Sequence, residues 1–294
     1  MPTSVTITGS GTPMLAAGRA GPGAMIRHDA TTIQVDAGRA TALRLTEAGV
    51  GLNDLDALLI THHHSDHLLG VPDLALTRWT SNGPVPYAGL PIHCPLGPAV
   101  DYLEAMFDQL APDIQSRRGV SNYPDDPHPT VHPFEPPAPD SGVAPVATYG
   151  EVVIEAATVD HGDLAPAVGY RFTTPDGVIV VSGDTRVCAA VEQLARGADI
   201  LVHEAFVGEL LVRRGLSAAR LANLGHHHAD AAEVGAMAAR LEVPALVITH
   251  LVPSPGSPEE AARFRDEVRA GGYDGDLTIA EDLHTAMIPV PAGQ

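Results

Sequence analysis

The sequence has few basic residues for its length, and this shortage limits the partners that it is suited to bind. Lysine and arginine together number 17, against 36 aspartates and glutamates, which gives a formal net charge of −19 at pH 7. Proteins that hold nucleic acid neutralise its phosphates with basic side chains, so this balance argues against a large nucleic-acid surface. We therefore expect a small-molecule substrate rather than a nucleic acid.

Cysteine is also scarce, since only Cys94 and Cys188 occur. Two cysteines make no disulfide framework and form no CxxC metal motif, so both are expected to be small core residues. This usage is typical of a reducing, cytoplasmic setting. The N-terminal segment lacks the basic region and apolar run of a signal peptide, and no apolar stretch approaches the length of a membrane span. We expect no membrane partner.

Hydrophobic residues make up 45% of the 294 positions, enough for a substantial core. We expect one domain over residues 1–294, with a Pro- and Gly-rich insertion over the core at about residues 80–147. This insertion is either a lid or substrate wall, or a solvated elaboration without function. The aromatic residues Trp79, Tyr87 and Phe107 lie in or beside it, and they either wall a pocket for a partly apolar substrate or serve only in packing.

Histidine is unusually frequent, and ten of the fifteen histidines fall in five short segments. Several of these segments directly follow apolar runs that are typical of β-strands. In five places such a run is expected to end at a histidine or an aspartate, namely His62, His161, Asp184, His203 and His250. Side chains at strand ends are held by a rigid sheet and can converge on one of its edges, where α/β proteins place their chemistry.

The segment from His62 to His67 has the spacing of a metal site. His62 and His64 can direct their imidazoles at one ion, while Asp66 and His67 can bind a second ion close by. Imidazole and carboxylate are the ligands expected for zinc, iron or manganese at a hydrolytic site. A histidine run alone is also compatible with a solvated loop, but three further side chains at strand ends complete the set, namely His161, Asp184 and His250. His63 points away from its neighbours, and we expect a structural role for it.

This segment resembles the signature of the metallo-β-lactamase-fold hydrolases, and the surrounding motifs resemble their ribonuclease Z-like branch. The motifs occur in the branch's order over most of the chain, and they lie at Gly9–Pro13, Asp160–Gly162, Ser182–Thr185, His203–Phe206 and Thr249–Leu251. One departure is Phe206, where the branch's His-Glu-Ala-Thr motif has threonine.

The resemblance implies an α+β fold, the four-layer αβ/βα sandwich, with two divalent metal ions at one edge. Zn²⁺ is the favoured metal, with Mn²⁺ and Fe as alternatives, and a homodimer is the implied assembly. The ligand sets that it implies are His62, His64 and His161 for one ion, Asp66, His67 and His250 for the other, and Asp184 as the bridge.

The resemblance also implies a histidine that protonates the leaving group and a glutamate that orients it. The run ahead of the penultimate predicted helix offers three candidates, namely His226, His227 and His228. Counting back from the helix favours His228, with Glu204 as its partner, although helix capping is an alternative role for the run. We therefore predict Asp66, His228 and Glu204 as catalytic residues and His203 as a support behind the ligands.

The substrate is less tightly constrained than the metal site. In tRNA-processing members of the branch, a long arm that grips tRNA lies between the third motif and the bridging aspartate, whereas only 23 positions separate His161 from Asp184 here. We therefore expect hydrolysis of a small ester-like substrate, first of all a phosphodiester. Lactonase, arylsulfatase and ribonuclease Z-type tRNA 3′-endonuclease activities are the alternatives within the fold. A non-hydrolytic iron protein or a binding module is the alternative of another class.

Overall fold

The computed structural model describes residues 2–81, 89–120, 126–139 and 141–289. Its strands are β1 (Ser4–Gly9), β2 (Gly23–His28), β3 (Thr31–Val35), β4 (Ala57–Leu59), β5 (Pro91–Pro95), β6 (Thr130–Phe134), β7 (Ala144–Tyr149), β8 (Val152–Thr158), β9 (Val168–Thr174), β10 (Gly177–Val181), β11 (Ile200–Phe206), β12 (Ala245–Val252), β13 (Asp276–Ile279) and β14 (Thr285–Met287). Its α-helices are α1 (Thr41–Glu47), α2 (Ser65–Leu68), α3 (Val71–Thr80), α4 (Pro98–Ala105), α5 (Ala111–Val120), α6 (Ala189–Ala195), α7 (Gly208–Arg213), α8 (Ala218–Gly225), α9 (Ala231–Arg240) and α10 (Pro258–Ala270).

The strands form two seven-stranded sheets, one from each half of the chain apart from the final strand. The first sheet has the order β14-β1-β2-β3-β4-β5-β6, and the second has the order β13-β12-β11-β10-β9-β8-β7. Both sheets are mixed, since antiparallel pairs such as β1–β2 and β8–β9 stand beside parallel pairs such as β4–β5 and β11–β12. Each parallel pair is joined by a connection that carries helices, as parallel pairing requires.

Three apolar clusters divide the molecule into layers. The central cluster lies between the two sheets and joins side chains such as Ile33 and Tyr170. A second cluster packs α6, α9 and α10 on the outer face of the second sheet, and a third packs α1, α3 and α4 on the first. The order is helices, sheet, sheet, helices, which confirms the predicted four-layer α+β sandwich.

Two helices on the second sheet approach so closely that one position admits only glycine. A Cβ at Gly235 in α9 would lie 2.1 Å from the carbonyl oxygen of Val268 in α10. This contact is far inside van der Waals distance and involves backbone, so the helices would have to separate. The close approach fixes α9, and with it the segment that leads into the helix from His228.

Residues 80–147 contain more regular structure than their composition predicts. Strands β5, β6 and the start of β7 lie here, and β5 is a central strand paired in parallel with β4 and β6. Prolines are compatible with these strands because Pro91 and Pro95 stand at the ends of β5, while Pro133 lies on the edge strand β6. The expected insertion is therefore partly an integral piece of the first sheet.

The aromatic residues near this region pack into the core instead of walling a pocket at the histidine cluster. Trp79 and Phe107 are each 1% exposed and form a small apolar cluster with Ala75 and Ile114. Both therefore serve in packing, and Phe107 also contributes to the lining of a cavity of about 720 Å³ together with Ile114 and His128. Tyr87, the third residue of the predicted pocket wall, lies outside the described residues.

Candidate metal centre

The predicted ligands meet at one edge of the sandwich, where strands of both sheets end. His62 follows β4, and His64 is the residue before α2, whose four residues include Asp66 and His67. From the second sheet, His161 follows β8 and Asp184 follows β10, whereas His250 lies inside β12. The sheet edge therefore collects side chains that are far apart in the sequence.

Two strands differ from the prediction that they end at a histidine. β11 continues past His203 to Phe206, and β12 continues past His250 to Val252. The parallel register pairs Glu204 with Thr249 and Ala205 with Leu251, so His250 is an extra, bulged residue with a φ of 41°. A bulge redirects a side chain without ending the strand, and here it turns His250 towards the other ligands.

The nitrogen and carboxylate atoms of the predicted ligands form groups compact enough to hold metal ions. Within each group the atoms lie within 4.8 Å of one another, and the groups are His62, His64, His161 and Asp184; Asp66, His67 and His250; and Asp184, His228 and His250. The first two match the ligand sets implied by the sequence motifs. His63 belongs to none of these groups.

Asp184 lies between the two predicted ligand sets. Its Oδ2 atom is 3.9 Å from Nε2 of His62 on one side, 3.4 Å from Nε2 of His67 and 3.3 Å from Nε2 of His250 on the other. Asp66 Oδ2 lies 3.4 Å from the same His250 nitrogen. These separations suit donor atoms arranged around shared ions, since each ligand would lie about 2.0–2.2 Å from zinc.

Several of these buried atoms have no hydrogen-bond partner among the residues that the structure describes, which is the strongest sign that the group fits metal ions. Nε2 of His62, His67 and His250 and Oδ2 of Asp66 are all unpartnered, and the four residues are 0–3% exposed. A buried polar atom without a partner is costly, and native proteins rarely leave four together. Cations bound at this point would satisfy all four atoms.

A hydrogen-bond network behind the ligands fixes their orientation, and its centre is Asp36, which the sequence analysis overlooked. Asp36 Oδ2 accepts hydrogen bonds from Nδ1 of His67 at 2.7 Å and from the Thr61 hydroxyl at 2.8 Å. Because the hydroxyl proton of Thr61 goes to Asp36, its oxygen accepts from Nδ1 of His62 at 2.9 Å. Both imidazoles therefore present the lone pair of Nε2 to the metal centre.

Asp36 resembles the predicted ligands in position, since it directly follows β3. In the sequence, the apolar run that ends at Asp36 is the signal for this residue. No histidine or carboxylate stands near Asp36 at the spacing of metal ligands, so the signal is weak. The Asp36 backbone has a φ of 53°, a conformation that aspartate adopts more readily than most residues. The side chain of Gln34 donates to the Asp36 carbonyl oxygen at 2.7 Å and helps to hold this conformation.

Electrostatics set the protonation states that metal ligands need. Burial raises the pKa of Asp184, but the facing imidazoles of His250 and His67 outweigh it and hold the pKa well below its ordinary value. Burial lowers the pKa of His161 to about 4 and that of His62 well below its ordinary value. His62 and His161 are therefore neutral beside the Asp184 carboxylate, the forms that bind a cation. At His67 and His250 burial is outweighed by Asp184, which raises the pKa of both, so a cation that binds there would displace their protons.

Next to the ligands, His228 and Glu204 form a buried pair. Nδ1 of His228 lies 2.8 Å from Oε1 of Glu204, and the same oxygen accepts the backbone N–H of Thr185 at 3.0 Å. Burial lowers the pKa of His228, whereas the Glu204 carboxylate raises it, and the net result is a pKa of about 9. The His228 ring also stacks on that of His250 at 5.7 Å.

The neighbouring histidines of the run have other contacts. Nδ1 of His227 bonds to the carbonyl oxygen of Asn223 at 2.9 Å, and the backbone oxygen of His227 accepts from Nδ1 of His161 at 2.7 Å. His226 is exposed. Of the three candidates, only His228 contacts Glu204 in this structure.

Comparison with known proteins identifies the family. A model of the β-lactamase superfamily domain matches residues 31–251, well over half of the chain. The chain belongs to the metallo-β-lactamase superfamily. It is also 32% identical to a ribonuclease Z from Mycolicibacterium gilvum (strain PYR-GCK) over 288 residues, which cover 97% of this chain and 96% of that protein. This similarity confirms the ribonuclease Z-like branch that the motifs indicate.

Solved structures of the superfamily share the fold. The metallo-β-lactamase fold protein YhfI from Bacillus subtilis matches with a TM-score of 0.70 and 21% identity, covering 97% of this chain and 100% of that one. The short form of human tRNase Z matches with a TM-score of 0.66 and 21% identity, covering 98% and 100%. At these identities the likeness concerns the architecture alone.

Superfamily membership confirms that the chain is a metal-dependent hydrolase and implies divalent metal binding. Phe206, the departure from the branch's motif, is 7% exposed, and its ring lies 3.6 Å from the position of a Cβ on Gly225 at the end of α8. Phe206 therefore packs against the end of α8. His203, one residue before Glu204, is fully buried and contacts the Glu204 carbonyl oxygen through Nδ1 at 2.7 Å.

None of the helices within residues 2–81, 89–120, 126–139 and 141–289 combines the length and the apolar character that crossing a membrane requires.

Proposed function

We propose that this metallo-β-lactamase-fold hydrolase cleaves phosphodiester bonds, first of all in small substrates. Two ligand groups with Asp184 between them lie next to the His228–Glu204 pair, and this arrangement is the observation that carries the proposal. A phosphodiester combines a centre that gains negative charge with an alkoxide leaving group that needs a proton. The arrangement offers a cationic site for the first and a proton donor for the second.

We assign seven side chains to the metal ions. His62, His64 and His161 would hold one ion, Asp66, His67 and His250 the other, and Asp184 both. Five imidazoles and two carboxylates suit Zn²⁺, which we propose as the metal, although Mn²⁺ and Fe accept the same donors. When bound, two such ions lower the pKa of a water and neutralise charge on the reacting group.

The remaining residues act on the proton. Glu204 accepts the N–H of Nδ1 of His228, so the imidazole can carry a second proton on Nε2. One of its ring nitrogens lies within 4.8 Å of the ligand atoms of Asp184 and His250, beside the point where a bound ester would react. From there His228 donates its proton to the departing oxygen, and the buried Glu204 carboxylate stabilises the charged imidazole.

A small substrate is supported by space and by charge. A cavity of about 490 Å³ includes His161, but none of the other six proposed ligands, in its lining, to which Leu164, Ala167 and Cys188 also contribute. This volume falls within the range of about 300–1,000 Å³ that small-molecule sites occupy. The net charge of −19 opposes the approach of a long polyanion.

Cleavage of RNA is the second candidate, and the relatives favour it. The alignment of 288 residues also takes in 96% of the Mycolicibacterium gilvum protein, so that protein has little sequence left for a long additional arm, and it is nevertheless named ribonuclease Z. The missing arm therefore does not separate this chain from proteins of that name. Of the two reasons to expect no nucleic-acid substrate, only the acidic net charge remains.

A substrate panel tests the proposal. The zinc-loaded protein is assayed with bis-p-nitrophenyl phosphate, p-nitrophenyl phosphate, p-nitrophenyl sulfate, a lactone, and a precursor tRNA with a 3′ trailer, with the Asp184→Ala variant as control. We expect the diester to be turned over at least about tenfold faster than the monoester, sulfate and lactone. Specific cleavage of the precursor tRNA with poor diester turnover would favour the second candidate, and turnover of the lactone or sulfate alone would contradict both.

Three further assignments belong to the same proposal. We propose that residues 1–294 form one domain, that the chain acts in the cytoplasm, and that it forms a homodimer. Light scattering measures the molar mass in solution and so tests the homodimer. The optical spectrum separates hydrolysis from the redox alternative, because a zinc protein is colourless whereas an iron centre absorbs in the visible range.

A further inference from the structure

A second histidine-carboxylate group lies at the opposite end of β2 from the metal centre. Gly23 begins this strand, and a Cβ there would lie 3.3 Å from the carbonyl oxygen of Asp36. His28 ends the strand five residues later, which places it about 17 Å away along an extended chain. His28 is only 5% exposed although it stands at the sheet's end.

The tautomer of His28 follows from its neighbours. Nδ1 of His28 lies 2.8 Å from the hydroxyl oxygen of Thr3, and that hydroxyl donates its proton to Oδ2 of Asp176 at 2.8 Å. Nδ1 of His28 also lies 3.4 Å from Oδ2 of Asp176, and the Thr3 hydroxyl lies 2.8 Å from that of Thr174. With the Thr3 proton on Asp176, both acceptors face Nδ1, so Nδ1 carries the proton and Nε2 keeps a lone pair. This Nε2 is buried and has no hydrogen-bond partner among the described residues.

The chain His28–Thr3–Asp176 has the same form as the chain His62–Thr61–Asp36 behind the metal centre. In both, a threonine hydroxyl donates to a carboxylate and accepts from Nδ1 of the histidine, so the lone pair of the histidine is on Nε2. Histidines that bind metals are commonly oriented in this way. The arrangement therefore points to a cation in front of Nε2 of His28.

Two carboxylates lie where such a cation would bind. Nε2 of His28 is 3.8 Å from Oε2 of Glu151 and 4.0 Å from Oδ2 of Asp29, and the ligand atoms of all three residues lie within 4.8 Å of one another. Ligand atoms bound to one tetrahedral zinc ion are about 3.3–3.5 Å apart. Both carboxylates are largely exposed on turns, so a shift of less than about 1 Å would complete the site.

We propose that His28, Asp29 and Glu151 form a separate binding site for a divalent transition metal such as Zn²⁺. His28 and Asp29 belong to the turn between β2 and β3 of the first sheet, and Glu151 belongs to the turn between β7 and β8 of the second. A metal here joins the two sheets at the end of the sandwich that is far from the catalytic edge. Its function is to hold that end of the sandwich closed.

Zinc titration of the holoenzyme tests this proposal. The protein is first loaded at its catalytic centre, freed of weakly bound metal, and then titrated with Zn²⁺ by calorimetry. Wild type, Glu151→Gln and His28→Asn are compared with Glu104→Gln, which changes an exposed glutamate on α4. Glu151 is exposed, so its substitution preserves the fold even if the buried His28 does not tolerate replacement.

We expect wild type and Glu104→Gln to bind one more equivalent of Zn²⁺ than Glu151→Gln, or to bind it at least about tenfold more tightly. The added zinc should raise the Tm of wild type and of Glu104→Gln more than that of Glu151→Gln. Equal stoichiometry, affinity and Tm shift in all the folded variants would overturn the proposal. They would leave His28 as a buried imidazole that lies beside the two carboxylates without a shared metal.

Discussion

The imidazole of His228 and the carboxylate of Glu204 form one buried hydrogen-bonded unit, with Nδ1 and Oε1 2.8 Å apart. Glu204 is 1% exposed and is held by β11, whereas His228 lies on the segment that leads into α9. The pair thus connects two elements that pack on each other, and packing fixes its distance from the ligands. This rigidity is what a proton donor needs to reach one atom of a bound substrate.

The contribution of this pair should depend on the leaving group. For His228→Ala we expect a loss in kcat of about 10²–10⁴ with an alkyl or nucleoside leaving group, because an alkoxide needs a proton. The loss should be less than about tenfold with p-nitrophenolate, which leaves without one. Glu204→Gln should show the same pattern in milder form.

His226→Ala is the matched control for that comparison. The variant removes an exposed imidazole from the same run. In the described structure the His226 side chain contacts neither Glu204 nor the proposed ligands. Steady-state kinetics with a series of phosphodiesters measure the effect. An equal loss with good and poor leaving groups in His228→Ala would show that His228 supports the fold or the ligands rather than the leaving group.

Asp36 should determine how tightly metal is held although it touches none. Asp36→Asn keeps a residue that tolerates the φ of 53° but removes the charge that faces Nδ1 of His67. We expect metal affinity to fall by about 10–100-fold and activity to return at high metal concentration. Competition with a chromogenic chelator gives the affinity, and a variant that stays inactive at saturating metal would contradict this role.

The two ligand sets should respond differently to substitution. His64→Ala removes a ligand of one proposed ion, so we expect about half of the bound metal to be lost. Asp184→Ala removes the carboxylate between both groups and should lower the content of both ions. Both variants should lose turnover by at least about 10³-fold. Elemental analysis measures the metal, and full metal content in Asp184→Ala would show that Asp184 does not bridge.

A buried histidine outside the proposed ligand groups should make stability depend on pH. Nε2 of His93 lies 2.8 Å from the Tyr149 hydroxyl, and burial, aided by the nearby His132, lowers the pKa of His93 to about 4. The unfolded chain, in which the pKa is about 6.5, then binds the proton more readily than the folded protein. The stability from neutral His93 is therefore complete above about pH 6.5 and declines as pH falls towards 4.

Urea unfolding at pH 7.5 and pH 5 measures this decline. His93→Gln retains an acceptor for the Tyr149 hydroxyl but cannot titrate, so its free energy of unfolding should fall less between the two pH values than that of wild type. His284→Gln, at the other end of the first sheet, is the control and should behave like wild type. An identical fall in His93→Gln would assign the acid sensitivity to other groups.

The proposed ligands, which the structure brings together, could be picked out from the sequence because they are local features. The spacing from His62 to His67 depends on one turn, and apolar runs into His161 and Asp184 mark strand ends. The bulge at His250 could not be predicted, because it arises from pairing between β11 and β12. The sequence instead predicts that the strand ends at His250, because a histidine interrupts the apolar pattern of the strand.

Other features depend on contacts between distant parts of the chain. Strand β2 escaped prediction because Met25 faces the helices while Ile26 faces the other sheet, so the segment shows no polar face. The group around His28 joins residues more than a hundred positions apart. Neither the spacing nor the composition of those segments indicates that the fold brings them together.

The metal content of the purified protein, measured together with activity before and after chelation, tests the central claim most directly. The structure predicts at the catalytic edge two divalent ions per chain that wild type binds and Asp184→Ala lacks. It also predicts diester hydrolysis that disappears on chelation and returns when Zn²⁺ is added. A protein without stoichiometric transition metal, or one that keeps its activity after the metal is removed, would contradict the account.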